Sequence, residues 1–179
     1  VLLGERPLRL AVAASLEHSP LERNHPGLAN QLLTTTPLAR RDWVVAGLFV
    51  AAAFALRVPF RSQLAYHWDS AQFALAVEHF DMTAGQPHAP GFFLYIVVGR
   101  LLNCFLGDPH ASLVWISVLA GAALPALGFL LGTAMLGRKC GAAAGVVLAT
   151  SPLCWFHSEV ALTNIVDAAL ETALMLACW

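Results

Sequence analysis

The chain has 179 residues, of which 58% are apolar and only 12% are charged, and its mean hydropathy is +0.67. A soluble domain is about half apolar and about a quarter charged, so this composition argues against an ordinary soluble domain. The net charge is −1, which lacks the basic surface typical of nucleic-acid binding, and no nucleic-acid partner is expected.

Residues 1–41 contain five arginines and four prolines and show no long apolar period. This composition predicts a largely irregular N-terminal tail. Arg40 and Arg41 directly precede the first apolar run, and basic residues favour the cytoplasmic side of a membrane, so the tail is predicted to be cytoplasmic. The chain begins at Val1 and ends at Trp179 within an apolar run, which we interpret as truncation at both ends.

Four apolar segments follow, and each is predicted to cross a membrane. A spanning helix needs about 20 apolar residues, with a range of about 17–25. The predicted spans are 43–60, 111–136, 140–156 and 160–179. The predicted fold class is therefore an all-α integral-membrane protein, a polytopic bundle of transmembrane helices, in which residues 42–179 form the N-terminal part of a membrane domain.

An outer loop, 61–110, is predicted to contain amphipathic helices that lie in the membrane interface. Its apolar stretch Gly91–Gly107 contains Arg100 and Asn103. On a helical wheel these polar residues lie on one narrow side, whereas phenylalanine, leucine and valine residues fill the other. That pattern is typical of a helix that lies in the interface and does not cross the membrane.

The same interpretation predicts the direction of the later spans. If Gly91–Gly107 does not cross, the turn containing Arg138 and Lys139 is cytoplasmic, as the positive-inside rule favours. Glu159 is then on the outer side, together with the loop. The opposite topology would place Arg138 and Lys139 outside.

The fourth predicted span contains acidic residues. Glu159, Thr163, Asp167 and Glu171 recur every four residues, which predicts one polar stripe along a single helix. Acidic residues inside a membrane are costly and usually face a bundle interior or a water-filled cavity.

Two stretches of the outer loop contain candidate catalytic or binding residues. The first is Tyr-His-Trp-Asp-Ser-Ala-Gln-Phe at 66–73, where Asp69 precedes a helical pattern and is either an N-cap or a carboxylate held in a fixed direction. The second is Gln-Pro-His-Ala-Pro-Gly-Phe-Phe-Leu-Tyr at 86–95, where Pro90 and Gly91 are predicted to open a helix. His88 lies just before the free amides of that helix, where an anion would be stabilised.

The order of these motifs resembles the C-superfamily (GT-C) glycosyltransferases of the protein O-mannosyltransferase-like group. The chain has a span, then the acidic motif at Asp69, the His-Ala-Pro-Gly stretch, a span ending in Arg-Lys, and a later Trp-x-x-Ser-Glu-Val stretch. Members of this group commonly have Asp-Ser-x-Glu-Phe and His-Pro-Pro-Gly. Ala89 and Gln72 depart from that pattern, and Gln72 stands where many relatives have a second acid.

The resemblance implies an integral-membrane enzyme that transfers a hexose or pentose, such as mannose, from a polyprenyl-phosphate donor. The acceptor would be a protein, lipid or glycan on the extracytoplasmic face of, most simply, a bacterial inner membrane. Asp69 would be the catalytic base. The residues expected to bind the donor phosphate or the substrates are Arg61, His88, Arg100, Glu159 and Asp167. No metal ligand is assigned and no cofactor is required, although a divalent cation would be compatible.

Two other functions fit parts of the sequence. The acidic stripe on the fourth span would suit the ion path of a transporter. Alternatively, the chain would be a non-catalytic subunit of a membrane assembly, in which Asp69 is only a helix cap.

Overall fold

The computed structural model describes residues 36–179; 78% of these residues are helical, and none belongs to a β-strand. Residues 1–35, most of the predicted tail, lie outside the described part of the chain. The helices are α1 (Arg40–Arg57), α2 (Trp68–Glu78), α3 (Phe93–Leu106), α4 (Pro109–Leu136), α5 (Arg138–Thr150), α6 (Pro152–Glu159) and α7 (Asn164–Cys178), with short 3₁₀ turns at Val58–Phe60 and Met82–Ala84.

Helix α4 is the centre of the fold, because all the other helices pack against it. It begins where Asp108 accepts a hydrogen bond from the Ala111 amide, with Pro109 in the first turn, and it ends at Gly137, whose φ of +90° favours glycine. Both α1, extended by its 3₁₀ turn, and α4 are long and apolar enough to cross a membrane. The predicted spans 43–60 and 111–136 therefore correspond to helices of spanning length.

The third predicted span, 140–156, is not one straight helix. Helices α5 and α6 are bent by 54° relative to each other at Ser151, and the pair is apolar enough to be one broken span or a re-entrant loop. The Ser151 hydroxyl accepts from the Cys154 amide, and Pro152 starts α6. A serine cap followed by proline begins a new helix, because proline lacks the amide hydrogen that would continue the previous one.

The fourth predicted span, 160–179, and its acidic stripe are corrected by the structure. Helix α7 begins only at Asn164 and not at residue 160. Glu159 is the last residue of α6, and Thr163 precedes α7, so only Asp167 and Glu171 share a helix. The prediction of one continuous stripe, which supported an ion path, is wrong.

Helix α3 has 14 residues, too few to cross a membrane straight, which agrees with the prediction that it does not span. Its apolar side points away from the protein, and Phe105 is 87% exposed. Its polar side is in contact with α2, although Arg100 stays exposed. Arg100 donates to the carbonyls of Val77 (2.8 Å) and Ala76 (3.1 Å), near the end of α2.

The two ends of α1 are attached to different parts of the bundle. At the start, Asp42 accepts two hydrogen bonds from Arg138, at 2.8 and 3.0 Å. At the other end, the Arg57 guanidinium lies 5.5 Å from the ring centre of Trp155. The Ser62 amide donates to the Glu159 carbonyl at 2.8 Å. The start of the predicted outer loop and Glu159 therefore lie at one end of the bundle, and Arg138 lies at the other.

Glycines allow α4 and α5 to approach closely. A Cβ atom on Gly141 would overlap the Thr133 hydroxyl and would lie 2.5 Å from the Phe129 carbonyl oxygen. Because backbone atoms cannot move aside as a side chain does, glycine is required here. Small residues of this kind commonly mediate helix packing in membranes.

We expect Gly141→Ala to lower the free energy of unfolding by about 1–3 kcal/mol, since the added methyl group overpacks the α4–α5 contact. Gly47→Ala is the matched control. Gly47 is also helical, but nothing lies within 4 Å of an added Cβ, so the change should stabilise by about 0.5–1 kcal/mol. Unfolding of both variants in detergent, followed by circular dichroism, measures the difference, and changes of the same sign would contradict the close packing.

Candidate functional site

Asp69 lies in the first turn of α2, but it is not the N-cap. The cap is His67, whose Nδ1 accepts a hydrogen bond from the Asp69 amide at 3.2 Å. The prediction that Asp69 itself caps the helix is therefore wrong. The Asp69 carboxylate is therefore not the helix cap. It lies in the first turn of α2, where the helix dipole stabilises a negative charge.

Two imidazoles flank the Asp69 carboxylate. Its Oδ2 lies 3.4 Å from Nδ1 of His67, and its Oδ1 lies 3.8 Å from Nδ1 of His88. Nδ1 of His67 accepts the amide hydrogen bond, so that nitrogen has no proton to donate to the carboxylate. The Asp69 side chain remains 34% exposed and is thus accessible to a ligand.

Gln72 orients His88. The Nδ1 atom of His88 lies 2.9 Å from Oε1 of Gln72, so with this amide orientation Nδ1 is protonated and donates. The imidazole also contacts the rings of Phe73, at 5.8 Å, and Phe92, at 5.4 Å. Nε2 makes no hydrogen bond within residues 36–179 and is the nitrogen left for a ligand.

One face of α2 supplies three residues that contact His88. Asp69, Gln72 and Phe73 are spaced i, i+3 and i+4, which places them side by side on a helix, and all three contact His88. Gln72, which departs from the resemblance, is thus a site residue that sequence reasoning missed. The helical spacing from Asp69 was the available signal.

The turn after His88 has an unusual backbone. Gly91 has φ of +94°, and the Cβ of any other residue would lie 2.9 Å from the Met82 sulfur. Phe92 has φ of +42°, which is rare for a residue with a large side chain. Helix α3 therefore begins at Phe93, after Pro90 and Gly91 and not at them as predicted. Strained conformations of this kind cluster at functional sites.

The start of α2 is fixed to the segment between α6 and α7. The buried Ser70 hydroxyl donates to the Ala161 carbonyl at 3.0 Å, and the Tyr66 ring lies 5.6 Å from that of Phe156. Because these contacts come from distant parts of the chain, they hold the Asp69–His88 pair in a constant position at this end of the bundle.

Arg61 and Arg100 make contacts away from this pair. Arg61 donates to the Val58 carbonyl at 2.8 Å and stacks 5.3 Å from the Trp115 ring, beside a small cavity of about 80 Å³. Arg100 holds the end of α2 through the Val77 and Ala76 carbonyls. A role for either arginine in phosphate binding stays a prediction, and each would first have to leave these contacts.

Glu159 lies with Arg57 beneath Trp155. Arg57 is fully buried, whereas a long basic side chain at the end of a spanning helix commonly extends to the membrane interface. Within residues 36–179, Nε and Nη2 of Arg57 and the buried Oε1 of Glu159 make no hydrogen bond. Nη1 of Arg57 donates to the Ala53 carbonyl at 3.2 Å, within its own helix. Glu159 does not line the small cavity beside Arg61, and its predicted contact with substrate is untested.

Asp167 lines a larger cavity, of about 540 Å³, between α3 and α7. Thr163 and Tyr95 line it as well, whereas Glu159 does not. This agrees with the expectation that Asp167 faces a cavity, but most of the walls are apolar. Asp69, His88 and Glu159 line neither this cavity nor the small one beside Arg61.

No three histidine, cysteine, aspartate or glutamate side chains between residues 36 and 179 are arranged to hold a metal ion. The structure therefore adds no support for a divalent cation at this site. Its chemistry within the described residues comes from a carboxylate, an imidazole and an amide, namely Asp69, His88 and Gln72. Such a set can accept a proton and bind an anionic group close to it.

The resemblance to the GT-C glycosyltransferases rests on the motifs of this chain, and comparison with known proteins does not extend it. No protein-family model, no curated protein and no solved structure matches the chain.

Proposed function

We propose that this chain belongs to an integral-membrane glycosyltransferase that moves a sugar from a polyprenyl-phosphate donor to an acceptor on the extracytoplasmic side. One observation gives the main support. The two motifs of the resemblance, which are separate in sequence, bring the Asp69 carboxylate within 3.8 Å of the His88 imidazole. A general base and a phosphate-binding cation are the two groups that this reaction needs side by side.

In the proposed reaction the acceptor hydroxyl gives its proton to Asp69 as its oxygen attacks the anomeric carbon of the sugar. The bond between that carbon and the phosphate oxygen breaks, and its electron pair leaves with the polyprenyl phosphate. Asp69 is suited to this role because its carboxylate is partly exposed and does not cap its helix.

His88 would bind the leaving phosphate through Nε2. Nδ1 already donates to Gln72, so Nε2 is a donor only when the imidazole is protonated. Gln72 would thereby fix the ring in the direction that serves the phosphate.

The proposed orientation in the membrane follows from the two ends of the bundle. Arg40, Arg41, Arg138 and Lys139 cluster at the ends of helices that meet through the Asp42–Arg138 pair. By the positive-inside rule this end would be cytoplasmic, and the end with Asp69 would be extracytoplasmic.

Single-cysteine labelling tests this orientation. With the four native cysteines replaced, Glu78→Cys should react with a membrane-impermeant maleimide added outside the cell, whereas Lys139→Cys should react only after permeabilisation. Both side chains are exposed, so a difference in labelling between the two positions would not result from burial. External labelling at position 139 with protection at position 78 would contradict the proposed orientation.

Transfer of a radiolabelled hexose from polyprenyl phosphate, measured with the whole membrane protein in lipid vesicles, tests the function. His88→Gln should slow transfer by about 10–10²-fold, because a hydrogen bond to a charged group contributes about 1.5–3 kcal/mol. His79→Gln is the matched control, since His79 is exposed and directly follows α2, the helix whose side chains contact His88. No transfer by the wild-type protein with any polyprenyl-phosphate sugar, or equal rates for both variants, would contradict the proposal.

A further inference from the structure

The cavity between α3 and α7 is large enough for a ligand. Its volume is about 540 Å³, and Ile116 of α4 contributes to its wall. Binding sites for small molecules usually measure about 300–1,000 Å³. The cavity is separate from the Asp69–His88 pair, although Phe92 lines it and also contacts the His88 ring.

The walls of this cavity suit a hydrocarbon chain. Eight of its eleven lining residues are apolar, among them Phe93 and Leu94 of α3 and Val166 and Leu170 of α7. Phe93, Leu94 and Leu170 are each more than 60% exposed, so their side chains are accessible. An apolar chain in contact with them would be removed from water or from head groups, which is favourable in proportion to the area covered.

The polar side chains that line the cavity determine whether it favours a cationic or an anionic ligand. Among residues 36–179, Asp167 is the only charged residue that lines the cavity, and no lysine, arginine or histidine of this part of the chain lines it. Asp167 lies in the first turn of α7, where the helix dipole stabilises a negative charge. A ligand head in this cavity would thus meet a carboxylate with no cationic side chain beside it.

Tyr95 is a second polar residue in the wall of the cavity. The residue is only 8% exposed, and burial raises the pKa of its hydroxyl. Tyr95 and Asp167 both line this cavity. A phenol that keeps its proton and a carboxylate together offer acceptors to a donor head group, and both disfavour an anion.

We propose that this cavity binds a long-chain amphiphile with a protonated amine head, the amine pairing with Asp167 and the chain lying along α3 and α7. Coulomb attraction between unlike charges is much stronger beside apolar walls than in water, so Asp167 discriminates between head groups. A polyprenyl phosphate is disfavoured by the same carboxylate. The cavity is therefore distinct from the phosphate position that we propose at His88, and the inference does not depend on sugar transfer.

Amphiphiles that differ only in their heads test the proposal. The whole protein in phosphatidylcholine nanodiscs is equilibrated with dodecylamine, dodecanol or dodecyl phosphate, and bound ligand is measured against empty nanodiscs. We expect wild-type protein to bind dodecylamine at least about tenfold more tightly than dodecyl phosphate, a difference of about 1.4 kcal/mol. Asp167→Asn should abolish this preference without changing the fold.

Glu171→Gln is the matched control, because Glu171 lies one turn further along α7, is exposed and does not line the cavity. It should keep the wild-type preference. Leu170→Trp should reduce binding of all three compounds by filling the cavity, with melting temperature confirming that the variant is folded.

Three results would overturn the inference: binding that is independent of the head group, an unchanged preference in Asp167→Asn, and loss of the preference in Glu171→Gln. The binding assay contains no sugar donor. Failure of the amine site and failure of the proposed transferase activity are therefore observed separately.

Discussion

Asp69→Asn should reduce sugar transfer by about 10²–10⁴-fold, the usual contribution of general-base catalysis. Asparagine has nearly the same volume but cannot take the proton of the acceptor hydroxyl. Because His67 and not Asp69 caps α2, the variant loses only the interaction of the carboxylate with the helix dipole and the imidazoles. Stability should fall by no more than about 0.3–1 kcal/mol. Initial rates of transfer and thermal unfolding are measured on the same preparation.

Glu78→Gln is the control for this experiment. Glu78 is a carboxylate on the same helix, is exposed, and lies at the opposite end of α2 from His88. It should transfer sugar at the wild-type rate. Wild-type activity in Asp69→Asn would reject the catalytic role of Asp69.

The spanning helices could be predicted because their signal is local. Neither 43–56 nor 111–137 contains a charged residue, and such runs correspond to α1 and α4. The bend between α5 and α6 was not predicted, because hydropathy measures how apolar a segment is and not whether its helix is bent. Its signal was nonetheless present, since Ser151 followed by Pro152 is a typical start of a new helix.

The break between Glu159 and Asn164 had no such signal. Val160, Ala161 and Leu162 contain no glycine or proline and continue an apolar period, so the spacing predicted an unbroken helix. In the structure these three residues are buried, and the Ala161 and Leu162 carbonyls accept hydrogen bonds from Ser70 and Ser117. Contacts from distant helices thus replace helical hydrogen bonds, and distant contacts cannot be read from local pattern.

The candidate site was predicted only in part. The importance of Asp69 and His88 was inferred from the motifs, but their separation of 3.8 Å depends on the turn at Gly91 and Phe92. The burial of Arg57 also depends on a distant part of the chain and could not be predicted from local sequence. An arginine at the end of a span is expected to reach the interface, yet the bend after α5 places Trp155 over its guanidinium and buries it.

Arg57→Met should lower the free energy of unfolding by about 1–3 kcal/mol, the usual cost of leaving a buried polar group without a partner. The substitution leaves Oε1 of Glu159 buried without the positive charge that acts on it. Arg40→Met is the control, because Arg40 is an exposed arginine on the same helix and should change stability by less than about 0.5 kcal/mol.

A double variant separates the electrostatic effect from simple packing. If Arg57 and Glu159 compensate each other, Arg57→Met with Glu159→Met should be more stable than Arg57→Met alone, because no uncompensated charge remains at the end of α1. If Arg57 acts only by filling space under Trp155, the two substitutions should destabilise additively. Denaturant unfolding of the wild type, both single variants and the double variant measures this coupling energy. Additive losses, or an Arg57→Met variant as stable as the wild type, would show that the two charges are not a structural pair.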